Sequence, residues 1–414
     1  LFINRVNDSL IKPVAARTDV YPLILLGGGH SHVLCLKYWQ QLAPKNPLKK
    51  YRPLLISENS TSPYSGMLPG LLTGDYQYDD CHIDLIKLCQ LSGADFQKKT
   101  CINIQQVTDK DFDTLYRLDF ETTAADSHSI YCEKLSINIG SQPYSLHPNK
   151  EDQLANGKDQ KQTSVNVWKV KPISLFFQNW QKLQQEINNP NTKQEVTATN
   201  PIISIIGAGA AGVEIACAIK LAQENCQVQL IANSKQPLPS YSPKIQKLCL
   251  QQLNNMGIQF IGQQRVTAKP SDFTILCTQS AAPSWLKDSD LKLSEQGFIC
   301  VDEKLQTSLA GVFAAGDCIH FTPRPLAKAG VYAVRQANTL FHNLCTSLND
   351  ETLPDFELLS YQPQTRFLSI INMGNQYALG QRGSFVLSGR WLWHYKQYLD
   401  KKFMSLFNKP NKDE

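Results

Sequence analysis

The chain has 414 residues, 42% of them hydrophobic and 19% charged, with 22 glycines and 22 prolines. At roughly 150 residues per domain this length holds two or three domains, and the composition excludes a mainly disordered, collagen-like or coiled-coil chain. Its 41 basic and 36 acidic residues leave a formal net charge of +5. That balance lacks the concentrated positive charge by which nucleic-acid binders are read, so nucleic acid is not an expected partner.

The first 20 residues mix charges with short apolar pieces and show no apolar core of a signal peptide. An apolar strand is expected over residues 21–26. It runs into Gly27-Gly28-Gly29-His30-Ser31-His32, and a helix follows over 33–42. A loop rich in Pro and Lys (43–50) leads to a second strand that ends near Glu58, and a further strand-like run spans 134–139. Residues 148–166 and 187–200 are polar and read as loops or linkers. A second strand, glycine turn and helix occupy 201–223, around Gly207-Ala208-Gly209-Ala210-Ala211-Gly212. Residues 202–222 are almost wholly apolar, but three glycines and β-branched residues crowded into the first half favour strand, turn and helix over a bilayer span. Strand-like runs recur at 228–231 and 273–277, and residues 307–317 form a short apolar strand closed by Gly316-Asp317. From about 358 to 387 apolar and polar residues alternate, which predicts hairpins, and a helix is expected over 390–407.

A glycine turn between strand and helix suits a dinucleotide for geometric reasons. The first glycine permits the turn, the second lets a pyrophosphate approach the backbone, and the third lets helix and strand pack closely. The helix N-terminus then offers free N–H groups to the phosphates. The second turn has all three, Gly207, Gly209 and Gly212, and reads as a dinucleotide site. The first has Gly27 and Gly29 but His32 in the third place, and taken alone it is equally compatible with a packing turn. Glu58, 31 residues after Gly27, is the candidate for the adenosine ribose; the usual interval is about 20, and the 43–50 loop absorbs the difference. Asp317 is placed to reach a ribitol hydroxyl or a pyrophosphate-bound water. His30 and His32 open the first helix, where local hydrogen bonding is the commoner use of such residues and contact with the pyrophosphate the alternative. His82 and His320 read as structural.

The 12 cysteines are scattered, without Cys-x-x-Cys or zinc spacing, which indicates free thiols in a reducing compartment and no metal site. A cytoplasmic protein is expected. The terminal helix qualifies this: Trp391, Tyr395, Tyr398, Leu399, Phe403 and Leu406 recur at helical spacing among Lys396, Lys401, Lys402 and Lys409. Such a helix packs on its own domain, forms a homodimer contact, or lies on the inner face of a membrane; packing is the favoured expectation.

Two glycine turns and a late Gly-Asp strand resemble the flavoproteins of the pyridine nucleotide-disulfide oxidoreductase superfamily. Ala211-Gly212-Val213-Glu214-Ile215-Ala216 is similar to the NADH-side motif of type II NADH dehydrogenases. The blocks 27–32, Ser62-Pro63-Tyr64-Ser65-Gly66-Met67-Leu68-Pro69-Gly70, 136–143, Trp168-Lys169-Val170-Lys171-Pro172 and 324–336 resemble one branch more closely. That branch holds the FAD-dependent proteins found beside, or fused to, selenide, water dikinase.

The resemblance implies an α/β fold with two Rossmann-like dinucleotide-binding domains. An FAD domain (18–150 and 299–356) is split by an inserted NAD(P)H domain (160–298), with crossovers near 140–168 and 277–298, and a small C-terminal α+β region covers 357–414. It implies FAD on Gly27, Gly29, His30, Glu58, Gly316 and Asp317. The Pro69 loop and the N-terminus of a helix over 326–337, including Ala327, face the isoalloxazine, and Lys328 adds positive charge there or stays on the surface. Glu214 lies between nicotinamide and flavin, or only complements the helix dipole. The strand over 228–235 ends without the acid that selects NADH and brings Lys235 near a 2′-phosphate, so NADH and NADPH both stay open. Cys81 and Cys89, eight apart and expected on one helix, are too distant for a disulfide relay.

The activity implied is an FAD-dependent NAD(P)H oxidoreductase passing hydride from nicotinamide to flavin and then to a small-molecule acceptor. The branch suggests an oxidised selenium or sulfur compound, with selenide, water dikinase as partner. A peripheral membrane NADH:quinone reductase and a non-catalytic flavin sensor or docking module are the alternatives.

Overall fold

Two sheets, the first mixed and the second parallel, each opening on one of the glycine turns, organise the computed structural model, which describes residues 20–108, 114–121, 129–143, 166–188, 200–264, 271–278, 280–348 and 357–408. In the first sheet the strand order is Asp95–Lys98, Leu54–Ser57, Val20–Leu26, Ile130–Ile137, Leu115–Phe120, Cys101–Val107. Val20–Leu26 is parallel to both neighbours, with Leu26 opposite Ile56 and Ile137. It is an interior strand, and Leu23, Ile24, Leu25 and Leu26 are all apolar and buried rather than alternating.

The chain leaves this sheet after Ile137 and returns to it much later. Val312–Ala314 pairs in parallel with Leu135–Ile137, in the slot vacated where Leu115–Phe120 diverges. Between the two visits lies the second sheet, five parallel strands in the order Asn166–Lys169, Phe273–Leu276, Ile202–Ile206, Gln227–Ile231, Gln259–Ile261. The apolar run over 202–222 is thus a strand followed by the helix Ala210–Ala222. The helix Ile173–Asn188 is fastened by Phe176, Trp180 and Leu183, one buried face at helical spacing.

Hairpins appear as expected. Ser369–Asn372, Ala378–Arg382 and Phe385–Gly389 form an antiparallel sheet, and the helix Arg390–Asn408 packs on it through Leu392 and Trp393. The stretch just before, 357–368, is irregular. Among the described residues no helix is long and apolar enough to cross a membrane.

Two expectations need correction. The helix placed at 326–337 begins at Gly330 and runs to Leu348. Ala327 therefore lies three residues upstream of its first residue, and Lys328 reaches back to the Ile319 carbonyl. Cys81 and Cys89 do not share a helix. Cys81 closes a 3-10 turn, the strand His82–Asp84 follows, and the Asp84 carboxylate caps Leu85–Ser92 by accepting from Lys87 N at 2.9 Å. All twelve cysteines are free.

Candidate functional site

The first glycine turn is built around a residue far away in sequence. Asn138, just past the end of Ile130–Ile137, is 2% exposed. Its Oδ1 accepts from Ser31 N at 3.1 Å and His32 N at 3.4 Å, and its Nδ2 donates to Ala315 O at 2.6 Å. Its backbone carbonyl accepts from Gly29 N at 3.1 Å. Asn138 therefore caps the helix His30–Gln41 from outside and ties it to the returning strand. A Cβ on Gly27, Gly29 or Gly316 would run into Asn138, and Gly27 and Gly316 also have φ of +97° and +78°. Sequence reasoning read those glycines as a turn that admits a cofactor and did not single out Asn138. Its signal was there, an amide-bearing residue directly after an apolar strand, but its target was not.

His32 takes the place of the third glycine and is wholly buried. Nδ1 lies 2.7 Å from Gly27 O and Nε2 2.8 Å from Ser136 Oγ, a pair met by a neutral ring with Nδ1–H donating to the carbonyl and Nε2 accepting the hydroxyl. Both ring nitrogens are thus engaged in local bonds, the commoner of the two expected uses. Burial pushes its pKa down to about 4, the Gly27 carbonyl opposing. A base whose folded pKa lies below its unfolded value of about 6.5 contributes fully above pH 6.5 and loses that contribution as pH falls toward 4. Denaturant unfolding at pH 7 and pH 5 should show a loss of about 2 kcal/mol that is absent from the His32→Gln variant. Equal pH slopes would refute this assignment.

Around this turn lie His30, Glu58, Asp317 and two residues the sequence reading did not assign. The Asp317 carboxylate receives Lys171 Nζ at 3.1 Å, and the same ammonium donates to Ser141 Oγ at 3.2 Å. The His30 ring stands 5.5 Å from that of Tyr64 and 5.8 Å from that of Phe403, and its buried Nε2 has no hydrogen-bond partner among the described residues. Burial lowers its pKa; Asp317 opposes and Lys171 adds to the effect. Glu58 is exposed just past Leu54–Ser57, whose Ile56 carbonyl accepts from Gly27 N at 2.7 Å. An unpartnered ring nitrogen, a bare glycine turn at a helix N-terminus and a strand-end carboxylate fit an adenine dinucleotide such as FAD.

The second turn has the geometry its sequence implies. Gly207 has φ +112° and donates to Ile231 O at 2.8 Å. A Cβ on Gly212 would strike the Gly207 carbonyl, so this glycine sets how closely the helix meets the strand. A Cβ on Gly209 would meet only open space, where a phosphate can approach. The residues after Gln227–Ile231 carry no carboxylate, and Asn233 and Lys235 are exposed there.

Pro69 and Glu214, chosen separately from sequence, line one cavity of about 470 Å³ together with Asp75, Asn372 and Trp393. Pro69 lies in the first turn of the helix Leu68–Thr73. Glu214 Oε1 accepts from Asn372 N at 2.8 Å, which fastens the second glycine helix to the C-terminal sheet. Burial pushes its pKa up to about 7, Lys396 and the Asn372 bond opposing and Asp400 adding. Lys328 is folded away: its ammonium bonds the Ile319 carbonyl and sits 3.7 Å over the Phe298 ring, and burial lowers its pKa.

The terminal helix turns one face inward and one outward. Leu392, Trp393, Asp400, Met404 and Phe407 are buried, whereas Trp391, Tyr395, Tyr398, Leu399 and Leu406 are exposed. Lys401 and Lys402 are exposed and Lys396 is not; Lys409 lies outside the described residues.

The chain spans about half the length of the curated relatives it matches. Human ferroptosis suppressor protein 1 is 26% identical over 216 residues, 45% of this chain and 54% of that protein. The nitric oxide reductase FlRd-NAD(+) reductase of Aeromonas salmonicida is 30% identical over 152 residues, 31% of this chain and 39% of the relative. Among solved structures, NDH2 of Plasmodium falciparum in complex with NADH superposes with a TM-score of 0.69 at 14% identity, over 95% of this chain and 99% of that one. The sulfide:quinone oxidoreductase of Aquifex aeolicus gives 0.67 at 16%, over 94% and 92%. These two likenesses establish the shared fold. The family model for pyridine nucleotide-disulphide oxidoreductases matches residues 21–337, most of the chain. With two glycine turns each following a strand of its own sheet, the chain belongs to that family, whose members are FAD-dependent and use NADH or NADPH.

Proposed function

We propose that the chain is an FAD-dependent NAD(P)H oxidoreductase that holds FAD at Gly27, Gly29, His30, Glu58, Gly316 and Asp317, and the nicotinamide dinucleotide at Gly207, Gly209 and Gly212. FAD, when bound, supplies the hydride acceptor and the onward electron donor. The chain's own residues do the rest. The two helix N-termini receive pyrophosphates, Lys171 balances Asp317, and Glu214 in the Pro69 cavity holds or releases a proton near neutral pH. Lys328, bonded to Ile319, steadies the approach to the helix Gly330–Leu348. The observation that carries this reading is the pair of bare glycine turns with one cavity that collects Pro69 and Glu214 from different parts of the chain.

The division into 18–150 and 299–356 for FAD, 160–298 for NAD(P)H and 357–414 as a C-terminal region is part of the same proposal. So is the link to selenium metabolism: an oxidised selenium or sulfur compound as acceptor and selenide, water dikinase as partner, supported by the sequence blocks around Pro69, Lys171 and Arg324. The strand-end residues Asn233 and Lys235 leave both NADH and NADPH admissible. Anaerobic addition of NADH and NADPH to purified protein should bleach the flavin absorption, and an added acceptor should restore it. A protein that carries no flavin and takes none up would end the proposal. A flavin reduced slowly and without cycling would indicate a sensor or docking module.

The second reading is a peripheral quinone reductase, supported by the outer face of the terminal helix. Trp391 and Tyr398 are each 56% exposed, and Phe385 on the adjacent hairpin is 75% exposed. Aromatic residues beside Lys401 and Lys402 suit a lipid surface or a second copy of the chain. Flotation with anionic liposomes, lost on substituting Trp391 and Tyr398 by Ser, supports the membrane; dimers without flotation support self-association.

A further inference from the structure

The lysines of the terminal helix are not equivalent. Lys401 and Lys402 face solvent, but the Lys396 side chain is only 12% exposed and that of Asp400, one turn on, 6%. Lys396 Nζ donates to Asp400 Oδ2 at 2.8 Å and to the Gly66 carbonyl at 2.6 Å. Asp400 also accepts from the Tyr64 hydroxyl, and the Tyr64 ring stacks on Phe403 at 4.8 Å. Phe403 in turn meets the ring of His30, the first residue of the helix behind the first glycine turn. The inner face of the helix thus grips the segment that leads into Pro69 at two points and the glycine turn at a third.

Stability alone is a poor reason for a lysine here. A buried ion pair recovers little beyond its desolvation cost, and an apolar residue of similar volume holds two elements together as well or better. What an ammonium adds is a directed, charge-assisted bond to one chosen carbonyl. That carbonyl belongs to Gly66, three residues before Pro69.

We propose that Lys396 is a positioning residue of the flavin site: it fixes the Gly66 carbonyl, and with it the wall carrying Tyr64 and Pro69, against the bound flavin. The terminal helix is then part of that site and its outer face alone is free for other contacts. This rests on the assignment of FAD to the first glycine turn.

The test measures the FAD dissociation constant of flavin-stripped full-length protein by fluorescence titration, together with the absorption band shape of the rebound flavin. Lys396→Met should raise the dissociation constant about tenfold, the size of one charge-assisted bond, and shift the band. Lys402→Met, on the exposed side, should change neither. The single variant leaves an unpaired buried carboxylate and is expected to lose stability. Lys396→Met/Asp400→Asn removes both charges, keeps an acceptor for Tyr64, and should recover the native unfolding midpoint while the raised dissociation constant persists. Native FAD affinity in the double variant would make Lys396 a stability element only and overturn the inference. If the native protein takes up no flavin, the assignment of FAD falls and the inference with it; native-like binding by both variants overturns the inference alone.

Discussion

Replacing Asn138 by Ala should destabilise the protein by about 3 kcal/mol and release its flavin. The substitution strands the Ser31 N–H and takes the amide donor from the Ala315 carbonyl, which keeps only the weak Cys318 thiol, while His32 N–H retains the Gly29 carbonyl; each buried group left unpaired costs about 1–3 kcal/mol. The space it opens is small and polar, and a water can restore part of the bonding, which keeps the total below the full sum. Asn138→Asp separates the two halves of the effect. It keeps the acceptor for Ser31 and His32 but sets a carboxylate oxygen against the Ala315 carbonyl and a negative charge beside the N-terminus of the helix His30–Gln41, where the pyrophosphate is proposed to lie. Flavin affinity should fall further in the Asp variant than its stability does. Denaturant midpoints and flavin content of the two purified variants give both numbers. Native flavin content in the Ala variant would remove Asn138 from the site.

The second large effect is expected at Gly212. A side chain there meets the Gly207 carbonyl, a backbone group that cannot rotate aside, so Gly212→Val must push the helix Ala210–Ala222 off its strand and distort the turn. Flavin content should stay native, because the first turn lies in the other sheet, while reduction by NADH or NADPH slows by about 100-fold, roughly 2.7 kcal/mol in barrier. Gly209→Ala is the sharper probe. Its Cβ enters open space, so folding is untouched and any loss of NAD(P)H affinity reports the ligand alone. Stopped-flow bleaching over a nucleotide concentration series measures both variants, and native affinity in Gly209→Ala would refute the second turn as a phosphate site.

The parts legible in sequence were those set by local rules. Strand, glycine and helix follow each other at residues 20–41 and 202–222 because apolar runs and bare turns carry their own instructions. The hairpins and the terminal helix were readable from period alone. What escaped depends on contacts between distant segments. Asn138 looks like any polar residue at a strand end until Gly29 and Ala315 are brought to it. Lys171 and Lys396 look like surface charges, since spacing tells which residues share a face but not which face is covered. The contact of Lys328 was not legible either: its partner, the Ile319 carbonyl, is close in sequence, but a side chain folding backward leaves no periodic trace.

The return of Val312–Ala314 to the sheet begun by Val20–Leu26 has a consequence for biosynthesis. The second sheet can close once residue 276 has emerged from the ribosome, because its five strands all lie before that point. The first cannot, since Val312–Ala314, Ala315 and Gly316 arrive only afterwards and Lys396, which grips the Gly66 carbonyl, later still. A nascent chain should therefore protect the sheet around Ile202–Ile206 from protease before the sheet around Val20–Leu26, and should take up flavin only after residues 312–316 have emerged.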